Sequence, residues 1–399
     1  MKAVFMGLGY IGLPSAALVA SKGIQVLGVD VNAKVIQTVK QGKIHIVEPD
    51  LDELVKSTVD NGGLRVSLMP EEADAFFIVV PTPFKHNHRA DISYVESATR
   101  MVIPFLRPGN LFVIESTSPV MTTEKMAKLI FSERPELKNC VYIAYCPERV
   151  LPGNVLYELE HNDRVIGGLN SESADKASAF YAQFVSGALH KTNARTAEMC
   201  KLIENSSRDA QIAFANELSM ICENAGINVW DLIDLANKHP RVNILQPGCG
   251  VGGHCIAVDP WFVVSDFPEQ AHMIKRARET NDYKADWCVN RILSACDDFI
   301  RKNDKRPVVA CMGLAFKPDI DDLRESPAKY IASRLVSEAQ ADVLVVEPNI
   351  KSHKTFNLMG HLEAYQDADI IVWLIRHKEF IDMEMDTYKI ELDFCGVRK

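Results

Sequence analysis

The sequence predicts an α/β protein of two Rossmann-like, doubly wound domains joined by a long central helical region. Three observations predict this. Next to Met1 an apolar strand runs into a glycine-rich turn and then a helix. From Thr196 to Lys302 apolar residues recur mainly at helical spacing. After the polar stretch Asn303-Asp304-Lys305-Arg306-Pro307 a second set of short apolar strands begins. At 399 residues the chain exceeds one ordinary domain, and these breaks divide it into 1–195, 196–302 and 303–399.

The N-terminal segment reads as a strand from Lys2 to Met6, a turn Gly7-Leu8-Gly9-Tyr10-Ile11-Gly12, and a helix from Leu13 to Lys22. Gly7, Gly9 and Gly12 form G-x-G-x-x-G in the context that gives it meaning. The first glycine permits the tight turn, the second lets a pyrophosphate approach the backbone, and the third lets helix and strand pack closely. A second strand, Gln25 to Val29, ends in Asp30. A carboxylate there accepts hydrogen bonds from ribose hydroxyls and repels a 2′-phosphate, which selects NAD over NADP.

Further strands follow at α/β spacing. Ala75 to Val80 leads into Pro81-Thr82-Pro83, and Leu111 to Ile114 leads into Glu115-Ser116-Thr117-Ser118-Pro119. Ligands of open parallel sheets sit beyond the carboxyl ends of the strands. Thr82, Thr117 and Thr123 are therefore placed to bond cofactor or substrate, with turn or cap duty as the alternative. Tyr142 to Tyr145 leads to Cys146-Pro147-Glu148-Arg149-Val150, where the Glu and Arg read either as a site pair or as a surface pair.

In the helical region Lys201, Asn205 and Arg208 fall at i, i+4 and i+7 and so share one helical face. A solvated face is one reading. The other notes their apolar flanks and their capacity to donate to an oxyanion and a phosphate. A second helix, Val229 to Lys238, ends in His239-Pro240-Arg241, and another runs from about Gln270 to Lys302.

Between these helices lies Gly248-Cys249-Gly250-Val251-Gly252-Gly253-His254-Cys255, with Asp259-Pro260 following. Glycines give the backbone freedom and let a ligand come close. Cys255 behind them reads as a nucleophile or as a buried structural thiol. The last third repeats the strand-and-helix pattern: Val308 to Met312, then Gly313-Leu314-Ala315-Phe316-Lys317-Pro318, a helix Pro327 to Val336, and strands at 343–346 and 370–374. It lacks the full glycine triplet, so it is expected to hold a different ligand from the first domain.

Composition narrows the function classes. With 47% hydrophobic and 24% charged residues and no apolar run of membrane-spanning length, the chain reads as a soluble globular protein. The start Val4-Phe5-Met6 leads directly into the glycine motif, so the mature chain is expected to begin at Met1. Ten cysteines without a C-x-x-C pair fit a reducing cytoplasm and disfavour structural zinc, so no metal is expected. A net charge of −9 argues against nucleic acid and anionic membranes as partners.

Taken together, Gly7 to Pro14, Glu115-Ser116-Thr117, Cys146-Pro147-Glu148-Arg149, Lys201-Leu202-Ile203-Glu204-Asn205, Gly252-Gly253-His254-Cys255 through Asp259-Pro260, and Gly313 to Lys317 resemble the UDP-glucose/GDP-mannose dehydrogenase family over essentially the full chain. Within it, Glu198-Met199-Cys200-Lys201, His239 to Gly248 and Cys255 to Pro260 resemble the bacterial members that act on UDP-N-acetyl-D-mannosamine. Members acting on UDP-glucose usually carry Phe-Pro-Lys-Asp after the cysteine. Here Ile256, Ala257, Val258 and Asp259 stand instead, which favours an N-acetylated sugar.

The resemblance implies a four-electron oxidation of the sugar C6 alcohol to a carboxylate with two NAD, supplying surface polysaccharide synthesis. Cys255 would be the nucleophile, Lys201 the proton donor and acceptor that also stabilises the oxyanion, and Asn205 its helper. Asp259 would position the water, and Glu148 is a candidate base for hydrolysis. Arg149, Val150, Lys201, Asn205, Arg208, His239, Arg241, Gly252, Phe316 and Lys317 resemble substrate positions. The glycine triplet, Tyr10, Ile11, Asp30, Thr82 and Thr123 resemble NAD contacts, and Arg324 would reach the cofactor from the C-terminal domain. A homodimer through the central helix is expected.

Three positions depart from the family. Met121 stands where many members have Gly, Cys249 where close relatives carry Pro, and Cys395 where a basic residue tends to precede Gly396. Cys249, six residues from Cys255, opens an oxidative side reaction. The runner-up substrates are UDP-N-acetylglucosamine and UDP-glucose. The alternative of another class is a non-catalytic, nucleotide-sensing Rossmann protein with a structural Cys255.

Overall fold

The computed structural model describes residues 1–399 apart from 84, 86, 87, 151, 152, 254 and 385–387. The chain gathers into two compact units, Met1–Ile203 and Glu204–Lys399.

The first unit is built on an eight-stranded sheet: β1 (Lys2–Met6), β2 (Gln25–Val29), β3 (Leu64–Ser67), β4 (Ala75–Ile78), β5 (Leu111–Ile114), β6 (Tyr142–Tyr145), β7 (Arg164–Gly168) and β8 (Leu189–Asn193). Their order is β3-β2-β1-β4-β5-β6-β7-β8. Only the β6–β7 pairing is antiparallel. The first six strands reproduce the dinucleotide-binding order, with the topological switch between β1 and β4.

Strands β4 and β5 are buried at every position, as a parallel sheet covered on both faces requires. Alternate residues of β1 feed opposite cores. Ala3 and Phe5 pack with Leu13, Ala16 and Ala17 of the helix Gly12–Ser21. Val4 and Met6 pack with Val102, Met126 and Ile130 of the helices Ser93–Val102 and Thr122–Glu133. The rings of Phe5 and Phe77 stack at 4.6 Å between centroids, fastening β1 to β4 across the switch point.

The second unit holds a four-stranded parallel sheet, β9 (Val308–Met312), β10 (Asp342–Val346), β11 (Ile370–Trp373) and β12 (Ile390–Asp393), in the order β10-β9-β11-β12. Two helices of 32 residues dominate the middle of the chain, Ala194–Ala225 and His272–Asn303. Each is about 48 Å long at 1.5 Å per residue. Ala285, Cys288, Val289 and Ile292 of the later one pack with Ile331 and Leu335 against one face of the sheet.

The strands read from the sequence are present. Three more in the first unit, β3, β7 and β8, were not foreseen for a physical reason. β3 and β8 carry few fully buried residues, and β7 opens on a charged Arg164, so none presents an apolar run. A short helix Asp259–Asp266 also escaped the sequence reading. Among the described residues no helix is long and apolar enough to cross a membrane.

Candidate active site

The turn after β1 is built as the glycine triplet demands. Gly7 adopts φ +99°, and a Cβ there would lie 2.4 Å from the Val79 carbonyl oxygen. A Cβ on Gly12 would lie 2.0 Å from the Gly7 oxygen, while at Gly9 it would meet nothing within 4 Å. Gly7 and Gly12 therefore make the turn compact, and Gly9 faces open space where a diphosphate can approach. Asp30 closes the cradle. One carboxylate oxygen accepts the Leu8 N–H at 3.0 Å and the other the Asn32 N–H at 2.8 Å, yet the residue stays half-buried and reachable. Tyr10 is 50% exposed at the helix start, with Ile11 half-buried beside it.

Thr82 and Thr117 follow β4 and β5 and are half-buried, at the strand ends next to the switch point. Thr123 is different. It is fully buried, and both its N–H and its hydroxyl donate to Glu198 Oε1 at 2.7 Å. Met121 N–H donates to the other oxygen at 2.6 Å, so Glu198 caps the helix Thr122–Glu133. Met121 sits at φ +75°, in the left-handed region that glycine adopts without the Cβ penalty.

Glu148, just past β6, has both oxygens committed. Oε2 accepts from Arg164 Nη1 at 3.1 Å and Oε1 from the Arg149 N–H at 2.7 Å. Arg164 is buried, donates its other terminal nitrogen to the Leu159 carbonyl at 3.1 Å and lies over the Tyr181 ring. Tyr181 in turn donates its hydroxyl to Glu115 Oε1 at 2.6 Å. Burial pushes the Glu115 carboxyl up to about 7, against the pull of Arg164 and with the Glu148 charge adding to the rise. Cys146 is likewise pushed up to about 12 by burial. Arg149 remains half-buried, and Val150 packs at the edge of the adjoining core. Sequence reasoning assigned no role to Glu198, Arg164 and Tyr181 because their partners lie 16 to 77 residues away, and no local pattern around them marks those pairings.

Lys201, Asn205 and Arg208 do lie on one continuous helix, Lys201 and Asn205 half-buried and Arg208 exposed. In the second unit, Asn205 Nδ2 donates to Asp259 Oδ2 at 2.5 Å. Asp259 is 3% exposed and opens the helix Asp259–Asp266. Its N–H and that of Val258 donate to the Cys255 carbonyl at 2.8 and 3.0 Å. Cys255 itself is exposed, so the sequence's alternative of a buried structural thiol does not hold. His254 lies outside the described residues.

The glycines before Cys255 pack tightly. A Cβ on Gly252 would come within 2.5 Å of the Glu325 oxygen and 2.7 Å of Phe316 Cβ. Gly253, at φ +84°, sits against the Phe316 ring and donates its N–H to the Arg324 carbonyl at 3.1 Å. Phe316, expected at the substrate, thus also backs the thiol turn. Lys317, Arg241 and His239 are exposed. The Arg324 guanidinium forks onto Asp322 at 2.6 to 3.0 Å.

One expectation is overturned. Cys249 is 3% exposed, its thiol donates to the Leu374 carbonyl at 3.4 Å, and burial pushes it up to about 12. A thiol so protonated and enclosed is poorly suited to oxidation. Cys395, the third departure, follows β12 and donates its N–H to Asp393 at 3.0 Å.

The turn after β9 repeats the geometry of the turn after β1. Gly313 takes φ +102°, close to Gly7, and Glu347 after β10 occupies the place of Asp30 after β2. Glu347 is used differently. One oxygen accepts the N–H groups of Leu314 and Ala315 at 2.8 and 2.9 Å and faces His377 Nε2 at 3.1 Å; the other accepts the Asn349 N–H at 3.0 Å. It is 3% exposed and has nothing left for a ribose.

Comparison with known proteins agrees with this division of ligands. Residues 1–185 match the NAD binding domain of the UDP-glucose/GDP-mannose dehydrogenase family, 195–283 its central domain and 310–394 its UDP binding domain. The chain belongs to that family. As an NAD-dependent dehydrogenase of this family, it carries the dinucleotide turn in its first unit and the saturated, Glu347-locked turn in its second. The UDP-N-acetyl-D-mannosamine dehydrogenase of Campylobacter jejuni is 53% identical over 99% of both chains. The NDP-N-acetyl-D-galactosaminuronic acid dehydrogenase of Ralstonia nicotianae is 51% identical over 98% of this chain and 95% of that one. Among solved structures, the UDP-D-ManNAc dehydrogenase of Pyrococcus horikoshii is 36% identical, with a TM-score of 0.90 over 100% of this chain and 96% of that one.

Proposed function

We propose that this dehydrogenase oxidises the C6 alcohol of UDP-N-acetyl-D-mannosamine to the carboxylate, in two two-electron steps at one site, with Cys255 as the covalent nucleophile. The observation that carries the mechanism is the exposed Cys255 thiol on a turn tied to the buried Asp259 and its half-buried partner Asn205. The sugar is taken from the 53%-identical relative and from Ile256, Ala257 and Val258 after the cysteine.

NAD, held by the Gly7–Gly12 turn and Asp30, supplies the hydride acceptor for each step, two per sugar. Lys201 takes the C6 hydroxyl proton as the alcohol becomes an aldehyde. The Cys255 sulfur then bonds to the aldehyde carbon, giving a thiohemiacetal whose oxygen is held by Lys201 and Asn205. Loss of a second hydride leaves a thioester. A water positioned by Asp259, with Glu148 as the candidate base, cleaves the carbon–sulfur bond and returns the thiol. Arg149, Arg208, Arg241, His239 and Lys317 offer cations and donors for the diphosphate and sugar. Trapping the intermediate as an adduct explains how four electrons leave one substrate without release of the aldehyde.

The test counts NADH per sugar. Wild type should yield two without free aldehyde, whereas Cys255→Ala should bind NAD normally and form no acid. Cys255→Ser, quenched rapidly, should show at most one hydride transferred. Two NADH per sugar from Cys255→Ala at the wild-type rate would end the covalent mechanism. A second reading, an N-acetylated sugar of another configuration, is favoured by the 51%-identical Ralstonia relative; a panel of UDP-N-acetylhexosamines followed by NADH formation separates the two. We also infer a homodimer through the central helix, where Phe214 and Ile221, one heptad apart, are 57% and 56% exposed.

A further inference from the structure

We infer that the helix Ala194–Ala225 staples the thiol turn at both ends, and that Asn216 is a positioning residue for Cys255. This rests on Cys255 being the nucleophile as proposed above. Asn205 and Asn216 are eleven residues apart, three helical turns, so both project from one face about 16 Å apart. Asn205 holds Asp259 at the end of the turn. At its beginning, the Gly248 N–H donates to Asn216 Oδ1 at 2.9 Å. The thiol lies between these two fixed points.

The orientation of the Asn216 amide is dictated by charge two links away. Arg278 can only donate, and its Nη1 bonds Asp209 Oδ1 at 2.7 Å. Asp209 therefore faces its neighbours as an acceptor, and Asn281 turns its NH₂ toward it, donating to Oδ1 at 2.8 Å and to the Asp209 carbonyl at 3.0 Å. That leaves the Asn281 oxygen facing Asn216, whose NH₂ donates to it at 2.8 Å. Only the Asn216 oxygen remains, and it accepts from Gly248. Asp209, Asn216 and Arg278 are fully buried and Asn281 is 1% exposed, so water cannot replace a missing member without cost. The turn also runs close beside the backbone of Asn281, since a Cβ on Gly250 would lie 3.0 Å from the Asn281 main-chain oxygen.

The members of this chain of bonds, Arg278, Asp209, Asn281, Asn216 and Gly248, are not among the residues proposed above to bind substrate or cofactor; its effect on the reaction is through where Gly248 begins the turn. Displacing a reacting group by about 1 Å can cost roughly 10²-fold in rate. Asn216→Leu keeps the bulk but removes both bonds, whereas Asn216→Asp keeps an acceptor for Gly248 and loses the donor toward Asn281. In the full-length enzyme with NAD and UDP-N-acetyl-D-mannosamine, Asn216→Leu is expected to lower kcat by roughly 10²-fold with the KM for NAD unchanged. Amide hydrogen exchange across 248–259 should speed up while the β1–β5 peptides exchange as in wild type. Asn216→Asp should fall between the two on both readouts, and it carries the test if Asn216→Leu does not fold. Wild-type exchange across 248–259 in a folded variant overturns the inference, and so does faster exchange with wild-type kcat. Hydrogen exchange does not depend on the chemistry at Cys255. A failure of the covalent mechanism, read from Cys255→Ala, therefore leaves this result separately legible.

Discussion

At the scale of single residues, the buried carboxyl of Glu115 predicts a pH-dependent contribution to stability in the first unit. Glu115 sits beside the strand end that also carries Thr117, shielded from water and bonded by Tyr181. Its folded value of about 7 lies above the ordinary 4.5, so the folded protein keeps the proton that the unfolded chain releases. Stability from this residue is therefore fully present below pH 4.5, declines as pH rises, and is lost above 7, a change of about 3 kcal/mol. Glu115→Gln cannot ionise and escapes that loss. Thermal melts should show the variant gaining on wild type between pH 5 and pH 8. A variant that instead falls further behind at pH 8 would mean that Arg164 holds Glu115 ionised.

At the scale of elements, two equivalent strand–turn pairs have diverged through the acid at the end of the second strand. Asp30 spends one bond on its turn and keeps an accessible carboxylate. Glu347 is enclosed. Burial alone would raise its carboxyl, but hydrogen bonds from His377, Leu314 and Asn349 outweigh that and bring it down to about 2. Its stabilising contribution is present above pH 4.5 and is lost as pH falls from 4.5 through 2. The two substitutions should then behave oppositely. Asp30→Asn preserves an acceptor for Leu8 and should change Tm little while relaxing discrimination against NADP. Glu347→Gln should cost about 3 kcal/mol at pH 7, with the deficit shrinking in acid and cofactor choice unaffected. Equal effects of both on NADP use would show that the second turn also reads a ribose.

At the scale of the whole molecule, the proposed homodimer turns on the exposed side of the helix Ala194–Ala225. Phe214 and Ile221 expose over half their surface on one stripe, and stripes of this kind on long helices mark contact surfaces. The homodimer proposed for them predicts that wild type sediments as a dimer, and that Phe214→Glu with Ile221→Glu gives a folded monomer. A wild-type monomer, or a double variant that stays dimeric, would move the interface elsewhere. Activity of the monomer would then report whether the site is complete within one chain.

The sequence by itself determined the fold class, the glycine turn with Asp30, the shared face of Lys201, Asn205 and Arg208, and the prominence of Cys255. All of these are local: a period of 3.6 or 2, a turn that only glycine permits, or a spacing within one helix. Only the tertiary structure decided what the polar groups are paired with. Glu198 on Thr123, Arg164 on Glu148, and Asn216 on Gly248 join residues 16 to 75 positions apart, and no periodicity encodes such pairs. Cys249 and Cys255 look alike in the sequence, and burial separates them into a protonated core thiol and an exposed one. Glu347 and Asp30 likewise share a place in the chain and differ in how many donors the fold brings to each. Propensity acts between neighbours along the chain, whereas burial and hydrogen-bond partners are set by neighbours in space, which is why the architecture was legible and the pairing was not.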